Sequence, residues 1–140
     1  MRYLLDTNVV SELRKRPDVV NPGVVDWAGR QATSDLYLSV VTLLEIELGI
    51  IRLQRRDPDQ AAILRQWMDR GVLAGFAGRV VPIDADIAVH SARLLVPDPR
   101  PERDAYIAAT AQVRGLTVVT RNVADFEPTG VTVLSPWTLP

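Results

Sequence analysis

Tyr3–Leu5, Val80–Ile83 and Leu116–Thr120 are short runs in which apolar residues follow one another directly, broken only by a proline or a threonine. A strand with one wet face alternates apolar and polar residues, whereas a strand that is apolar at successive positions is covered on both sides. Leu36–Ser39 and Val131–Leu134 read as two further strands. Helical patterns lie between them: after Thr7, at 24–32, from Ser39 or Thr42 to about Arg56, and at about 60–72, 85–95 and 104–114. Strands covered on both faces and alternating with helices predict an α/β fold, a three-layer α/β/α sandwich around a mostly parallel sheet. With no repeat and no linker, residues 1–140 are expected to form one domain.

The first of these strands stops on a carboxylate, in Leu4-Leu5-Asp6-Thr7-Asn8. Thr7 and Asn8 carry side-chain oxygens of the helix-capping kind, and Val9, Val10 and Leu13 give the next helix its apolar positions. Open α/β sheets bind ligands beyond the carboxyl ends of their strands, which is where Asp6 stands. Capping alone would also explain Asp6, so its chemical role depends on partners.

Composition narrows what those partners do. The chain has 47% hydrophobic and 24% charged residues, ordinary for a globular protein. No apolar run approaches the roughly 20 residues of a membrane helix. Arg2 is followed directly by a strand-like run rather than a signal sequence, and a cytoplasmic protein fits. There is no cysteine, which removes disulfide and thiolate chemistry, and the single histidine, His90, lies within a helical pattern as a structural residue. A formal net charge of −1 argues against holding nucleic acid by bulk charge. Lys15 is the sole lysine among 16 basic residues, however, and arginine forks suit phosphate, so Arg14–Arg16 and Arg52–Arg56 are local candidates for phosphate contact.

Three other acids are placed like Asp6. The helix Thr42-Leu43-Leu44-Glu45-Ile46-Glu47-Leu48-Gly49 is apolar nearly all round, which predicts burial, and a buried carboxylate needs a partner. Glu45 shares a face with Thr42, Gly49 and Arg52; Glu47 points the other way, and periodicity leans to Glu45 without settling the choice. Gly49 is expected to admit another backbone close to Glu45. Asp104 opens a helix whose own face carries the small or apolar Ile107, Ala108 and Ala111, although an acid in a first turn is often only a dipole partner. Asp125 is expected in a loop past the fourth strand, near Thr120 and Asn122, although loop aspartates usually form turns. Several carboxylates cannot share one site uncompensated. A hard divalent cation, magnesium or manganese, resolves this with oxygen ligands alone and promotes phosphodiester hydrolysis.

These motifs, in this order and at these separations, resemble the PIN domain family, most closely VapC-type toxins of type II toxin–antitoxin pairs with their FitB-like branch. The likeness runs nearly end to end, through Leu4-Leu5-Asp6-Thr7-Asn8, Thr42-x-x-Glu45-Ile46-x-x-Gly49, Asp104-Ala105-x-Ile107-Ala108-Ala109-x-Ala111, Thr120-Arg121-Asn122-x-x-Asp125-Phe126 and Pro136-Trp137. The resemblance implies an endoribonuclease dependent on Mg2+ or Mn2+. It makes Asp6, Glu45, Asp104 and Asp125 the acidic quartet, which decides for Glu45 over Glu47. Asp6 and Asp104 are expected to ligate the ion directly. Asp125 and Glu45 would ligate it directly, hold it through water, or take a proton from the nucleophile. Thr7, Asn8, Thr120 and Asn122 line the pocket, and Arg121 is a candidate RNA phosphate contact. In-line attack by water leaves a 3′-hydroxyl and a 5′-phosphate.

The resemblance also implies a homodimer held in check by an antitoxin that carries a DNA-binding domain. The chain itself shows no DNA-binding motif and is not expected to bind DNA alone. The proline-rich segment Val96–Arg103 departs from the family pattern and is expected to reshape the pocket rim. Two alternatives share parts of this pattern. One is a non-catalytic PIN-like binding module. The other is a haloacid-dehalogenase-type phosphatase, which needs a second aspartate where this chain has Asn8.

Overall fold

A computed structural model of the chain describes residues 1–139. The five strands are β1 (Tyr3–Leu5), β2 (Leu36–Ser39), β3 (Val80–Val81), β4 (Thr117–Val119) and β5 (Val133–Leu134). They pair in the order β3-β2-β1-β4-β5, and every pairing is parallel, where a mostly parallel sheet was expected. Tyr3 lies opposite both Leu36 and Thr117, so the first strand is the central one.

Side chains of β1 alternate between two cores. Tyr3 and Leu5 pack with Val9, Trp27, Leu38, Ile46 and Val119 on one face. Leu4 packs with Ile107, Ala108, Val118 and Phe126 on the other. The first face is covered by α1 (Thr7–Leu13), α2 (Pro22–Gly29), α3 (Val40–Gln54) and α4 (Pro58–Gln66). The second is covered by α5 (Ala85–Leu94), α6 (Glu102–Arg114) and α7 (Val123–Phe126). This is the three-layer sandwich that doubly apolar strands demand.

Short polar side chains start the helices. Asp6, Asn21, Ser39, Asp57 and Asp84 each accept a hydrogen bond from the first turn that follows them. Each bond satisfies a backbone donor that the helix itself cannot. Ser39 Oγ, fully buried, takes the Val41 N–H at 3.0 Å and starts the helix that carries Glu45. Ser39→Ala is expected to lower stability by about 1 kcal/mol, read as an earlier urea midpoint at unchanged slope. Gly115, at φ 68°, ends α6 in the left-handed conformation that glycine takes without strain.

The structure corrects five local expectations. Asp6 is the cap of α1, through Thr7 N–H at 2.8 Å, while Thr7 and Asn8 lie inside the helix. The helix after Pro58 does not stay α to residue 72 but widens into a π-helical stretch at Trp67–Leu73, which ends two residues before Gly75. Asp125 lies on the one-turn helix α7 rather than in a loop, because Phe126 is drawn fully into the core and winds the chain behind it. The α3 helix is not buried all round: Leu44 and Ile51 are exposed, since no other element covers that stripe. Gly49 faces open space, so nothing approaches it closely.

Candidate active site

The carboxyl ends of β1 and β4 are adjacent in the sheet, and their next residues are Asp6 and Thr120. Thr120 Oγ1 donates to Asp6 Oδ2 at 2.8 Å, and Asn8 Nδ2 donates to the same oxygen at 3.2 Å. Asn8 Oδ1 accepts the Arg121 N–H at 3.1 Å, which ties the turn after β4 to α1. Asp6 is 8% exposed yet has both carboxylate oxygens hydrogen-bonded. Burial raises its pKa nonetheless, against the hydrogen bonds from Thr120, Thr7 and Asn8, and the charge of Asp125 adds to the rise.

Glu45 reaches the same place from α3. The Thr7 hydroxyl donates to Glu45 Oε1 at 3.0 Å and lies 3.3 Å from that of Thr42, which is fully buried. Burial raises Glu45, the Thr7 bond opposes it, the charge of Asp6 adds, and Arg103 opposes again. Glu47 turns outward to α4 and holds both guanidinium nitrogens of Arg65. Periodicity and family pattern both leaned to Glu45, and only Glu45 faces the other acids.

Asp104, in the first turn of α6, is where the four acids meet. Partial burial, then the charges of Asp6, Asp125 and Glu45, push its carboxyl up to about 6, with Arg100 pulling the other way. Asp125 is exposed on α7 and faces both Asp6 and Asp104.

Of the expected pocket-lining groups, Thr7, Asn8 and Thr120 place their side chains in this network. Asn122 enters by its backbone N–H, which donates to Thr120 Oγ1 at 3.0 Å, and its side chain takes no part. The Arg121 guanidinium lies over the Trp137 ring, 5.7 Å from its centroid, a cation–π pairing, and its charge acts on Glu12. Arg14 lies similarly over Trp67, and Arg16 pairs with Asp18, so these two have structural employment. His90 shares a 2.6 Å hydrogen bond with Gln112, outside the site. A haloacid-dehalogenase-type phosphatase also needs a lysine, and Lys15, the sole one, bonds Glu12 at 2.9 Å rather than any of the four acids. Sequence reasoning passed over Arg100 and Arg103 as site residues. Their signal was adjacency to Asp104 in a segment read only as a rim.

The donor set fits a hard cation. The facing ligands are all oxygen, and acids that raise one another's pKa are a standing demand for positive charge. Among the described residues no three acidic, histidine or cysteine side chains stand close enough to enclose one ion as they are. Magnesium does not require that, because it keeps several waters and takes only one or two carboxylates directly.

The match to known proteins is consistent from end to end. The PIN domain family model matches residues 3–127. The chain belongs to the PIN domain family, within its VapC- and FitB-like group of toxins. It is similar to toxin FitB of Neisseria gonorrhoeae, 36% identical over 140 residues, covering 96% of this chain and 97% of that one. It is similar also to VapC ribonuclease Y4jK of Sinorhizobium fredii, 35% identical over 140 residues and 96% of both chains. A solved structure of FitAB bound to a DNA fragment superposes with a TM-score of 0.87 at 34% identity, over 99% of this chain and 97% of that one. Likeness over both full lengths supports the α/β/α reading independently of the local motifs.

Proposed function

We propose that the chain is the toxin of a type II toxin–antitoxin pair, an endoribonuclease that hydrolyses RNA phosphodiester bonds with Mg2+ or Mn2+ at Asp6, Glu45, Asp104 and Asp125. The observation that carries this reading is the hydrogen-bonded setting of Asp6 and Glu45 at the carboxyl edge of a parallel sheet, held by Thr120, Asn8 and Thr7, with Asp104 raised by burial and then by the charges of the other three acids. The similarity to a named VapC ribonuclease supports the choice of RNA.

Asp6 and Asp104 would hold the ion. Such an ion supplies a Lewis acid for the charge that develops on phosphate. Glu45 and Asp125 orient the attacking water or accept its proton. Attack in line at phosphorus breaks the bond to the 3′ oxygen, which takes up a proton, and leaves a 3′-hydroxyl and a 5′-phosphate. Thr7, Asn8 and Thr120 fix the carboxylate orientations, Asn122 closes the turn by its backbone, and Arg121, braced on Trp137, contacts RNA phosphate.

The reading places the protein in the cytoplasm, with its RNA. Among the described residues no helix is long and apolar enough to cross a membrane. An antitoxin with a DNA-binding domain would be the partner, as in the similar FitAB complex on DNA. Homodimerisation would use the exposed stripe of Leu44 and Ile51 on α3.

Purified protein is expected to cut total RNA with Mg2+ or Mn2+ and to stop on chelation. Glu45→Gln should lose more than about tenfold in rate. Glu47→Gln should cut at the parental rate, since Glu47 turns to Arg65 of α4 and away from the other acids. Equal losses in the two variants, or cutting that ignores the chelator, would refute the proposal.

A further inference from the structure

Four acids repel RNA, and a net charge of −1 gives the chain no general attraction for it. A nuclease built this way needs cations placed at the site itself. The proline-rich segment between α5 and α6 delivers Arg100, and the first turn of α6 delivers Arg103.

Two cavities open beside Asp104. The larger, of about 750 Å³, has Leu44, Ile83 and Tyr106 as apolar wall, with Glu45 and Arg103 beside them. The smaller, of about 380 Å³, is lined by Asp98, Arg100, Asp125 and Pro128. Asp104 and Pro101 line both, so the cavities meet at the carboxylate most strongly affected by its neighbours, with one arginine in each.

Neither arginine is committed elsewhere. Arg65, Arg114 and Arg16 are closely paired to Glu47, Asp84 and Asp18. Arg103 Nη1, by contrast, is 3.9 Å from Glu45 Oε2, at the outer limit of an ion pair, with its side chain 47% exposed. Arg100 Nε is buried without a hydrogen-bond partner. A buried donor left unsatisfied is costly, so a guanidinium that shifts to meet an acceptor in the cavity gains a partner it now lacks. The guanidinium fork matches a phosphate and offers more donors than either arginine now uses.

We propose that Arg100 and Arg103 grip backbone phosphates of an RNA strand on opposite sides of the bond to be cut, the strand running through both cavities across Asp104. The inference rests on the nuclease reading and deepens it. The apolar wall around Tyr106 suits an unstacked base of the same strand, since single-stranded RNA is commonly held by stacking on aromatic side chains.

The test is binding of a short single-stranded RNA by fluorescence anisotropy across a salt series. Ca2+ replaces Mg2+ as an ion of the same ligand preference, and gels verify that the RNA stays intact. Arg100→Ala and Arg103→Ala should each weaken binding about tenfold, as loss of a charged hydrogen bond does. Each should also reduce the slope of log affinity against log salt by about 0.7. Arg103→Lys and Arg100→Lys should restore the slope, because the charge remains. Arg30→Ala, exposed, paired with Asp26 and lying before the amino end of β2, should change neither quantity. Parental slopes in both alanine variants would make the arginines mere internal counter-ions and overturn the inference while leaving the nuclease reading intact. A parent chain that neither binds nor cuts RNA would overturn both.

Discussion

Asp6→Asn is expected to reduce ion-dependent RNA cleavage by more than about a hundredfold, the upper end of the loss seen when only an outer-shell partner of a metal ligand is removed. The fold should survive. The amide oxygen of asparagine can still accept the Thr7 N–H that starts α1, and asparagine is as good a cap as aspartate. Burial disfavours the charge on Asp6 and Asp125 repels it; relief of that penalty offsets the bonds from Thr120 and Asn8 that the amide NH2 cannot accept in place of Oδ2, so the ion-free variant should melt close to the parent. The decisive outcome is the combination: near-parental thermal midpoint, lost divalent-ion heat in calorimetry, lost cutting. Full cutting by the variant would remove Asp6 from the chemistry and return it to capping alone.

Asp104→Asn should separate stability from ion binding more sharply. In the ion-free protein Asp104 titrates at about 6, against an ordinary 3.8. Between those values the folded state binds more protons than the unfolded chain, so stability falls as pH rises through the window and stays lower above it. Discounted for partial exposure, the ionised carboxyl costs about 1 kcal/mol at neutral pH, or about 4 °C in thermal midpoint. An amide in its place removes that cost. The ion-free variant should melt about 4 °C above the parent at neutral pH and level with it at about pH 4, where the parent's carboxyl is protonated in the folded state. The parent's divalent-ion affinity should rise with pH up to about 6 and flatten beyond, because ligation needs the deprotonated acid. In the variant the affinity should be weak and free of that inflection. Identical melting of parent and variant across the range would mean that the acids do not crowd one another at Asp104.

Much of the fold was legible because it depends on local pattern. Leu4-Leu5-Asp6 shows its strand and its end together, since burial on both faces and an abrupt carboxylate need no tertiary knowledge. The helix patterns at 85–95 and 104–114 were equally local, and Asp84 and Gly115 stand at their bounds. What escaped depends on contacts between distant residues. Exposure of Leu44 and Ile51 follows from what fails to cover them, and helical periodicity cannot report that. The choice between Glu45 and Glu47 was left open by spacing because it turns on Arg65, 18 residues beyond Glu47. The one-turn helix carrying Asp125 exists because Phe126 finds the far core, a contact no window of sequence contains. Arg100 and Arg103 were visible as letters, but their meaning lay in which cavities they faced.

The position of β1 in the sheet has a bearing on when this protein becomes dangerous to the cell that makes it. The central strand precedes both of its neighbours in the chain, β2 and β4, the latter paired to it through Tyr3 and Thr117. The hydroxyl that orients Asp6 lies 114 residues further along the chain. A nascent fragment that ends before β4 lacks the hydroxyl that orients Asp6, so the proposed cutting centre assembles only once β4 has emerged. Synthesis thus carries its own delay. During that interval an antitoxin made alongside would meet a toxin that cannot yet cut.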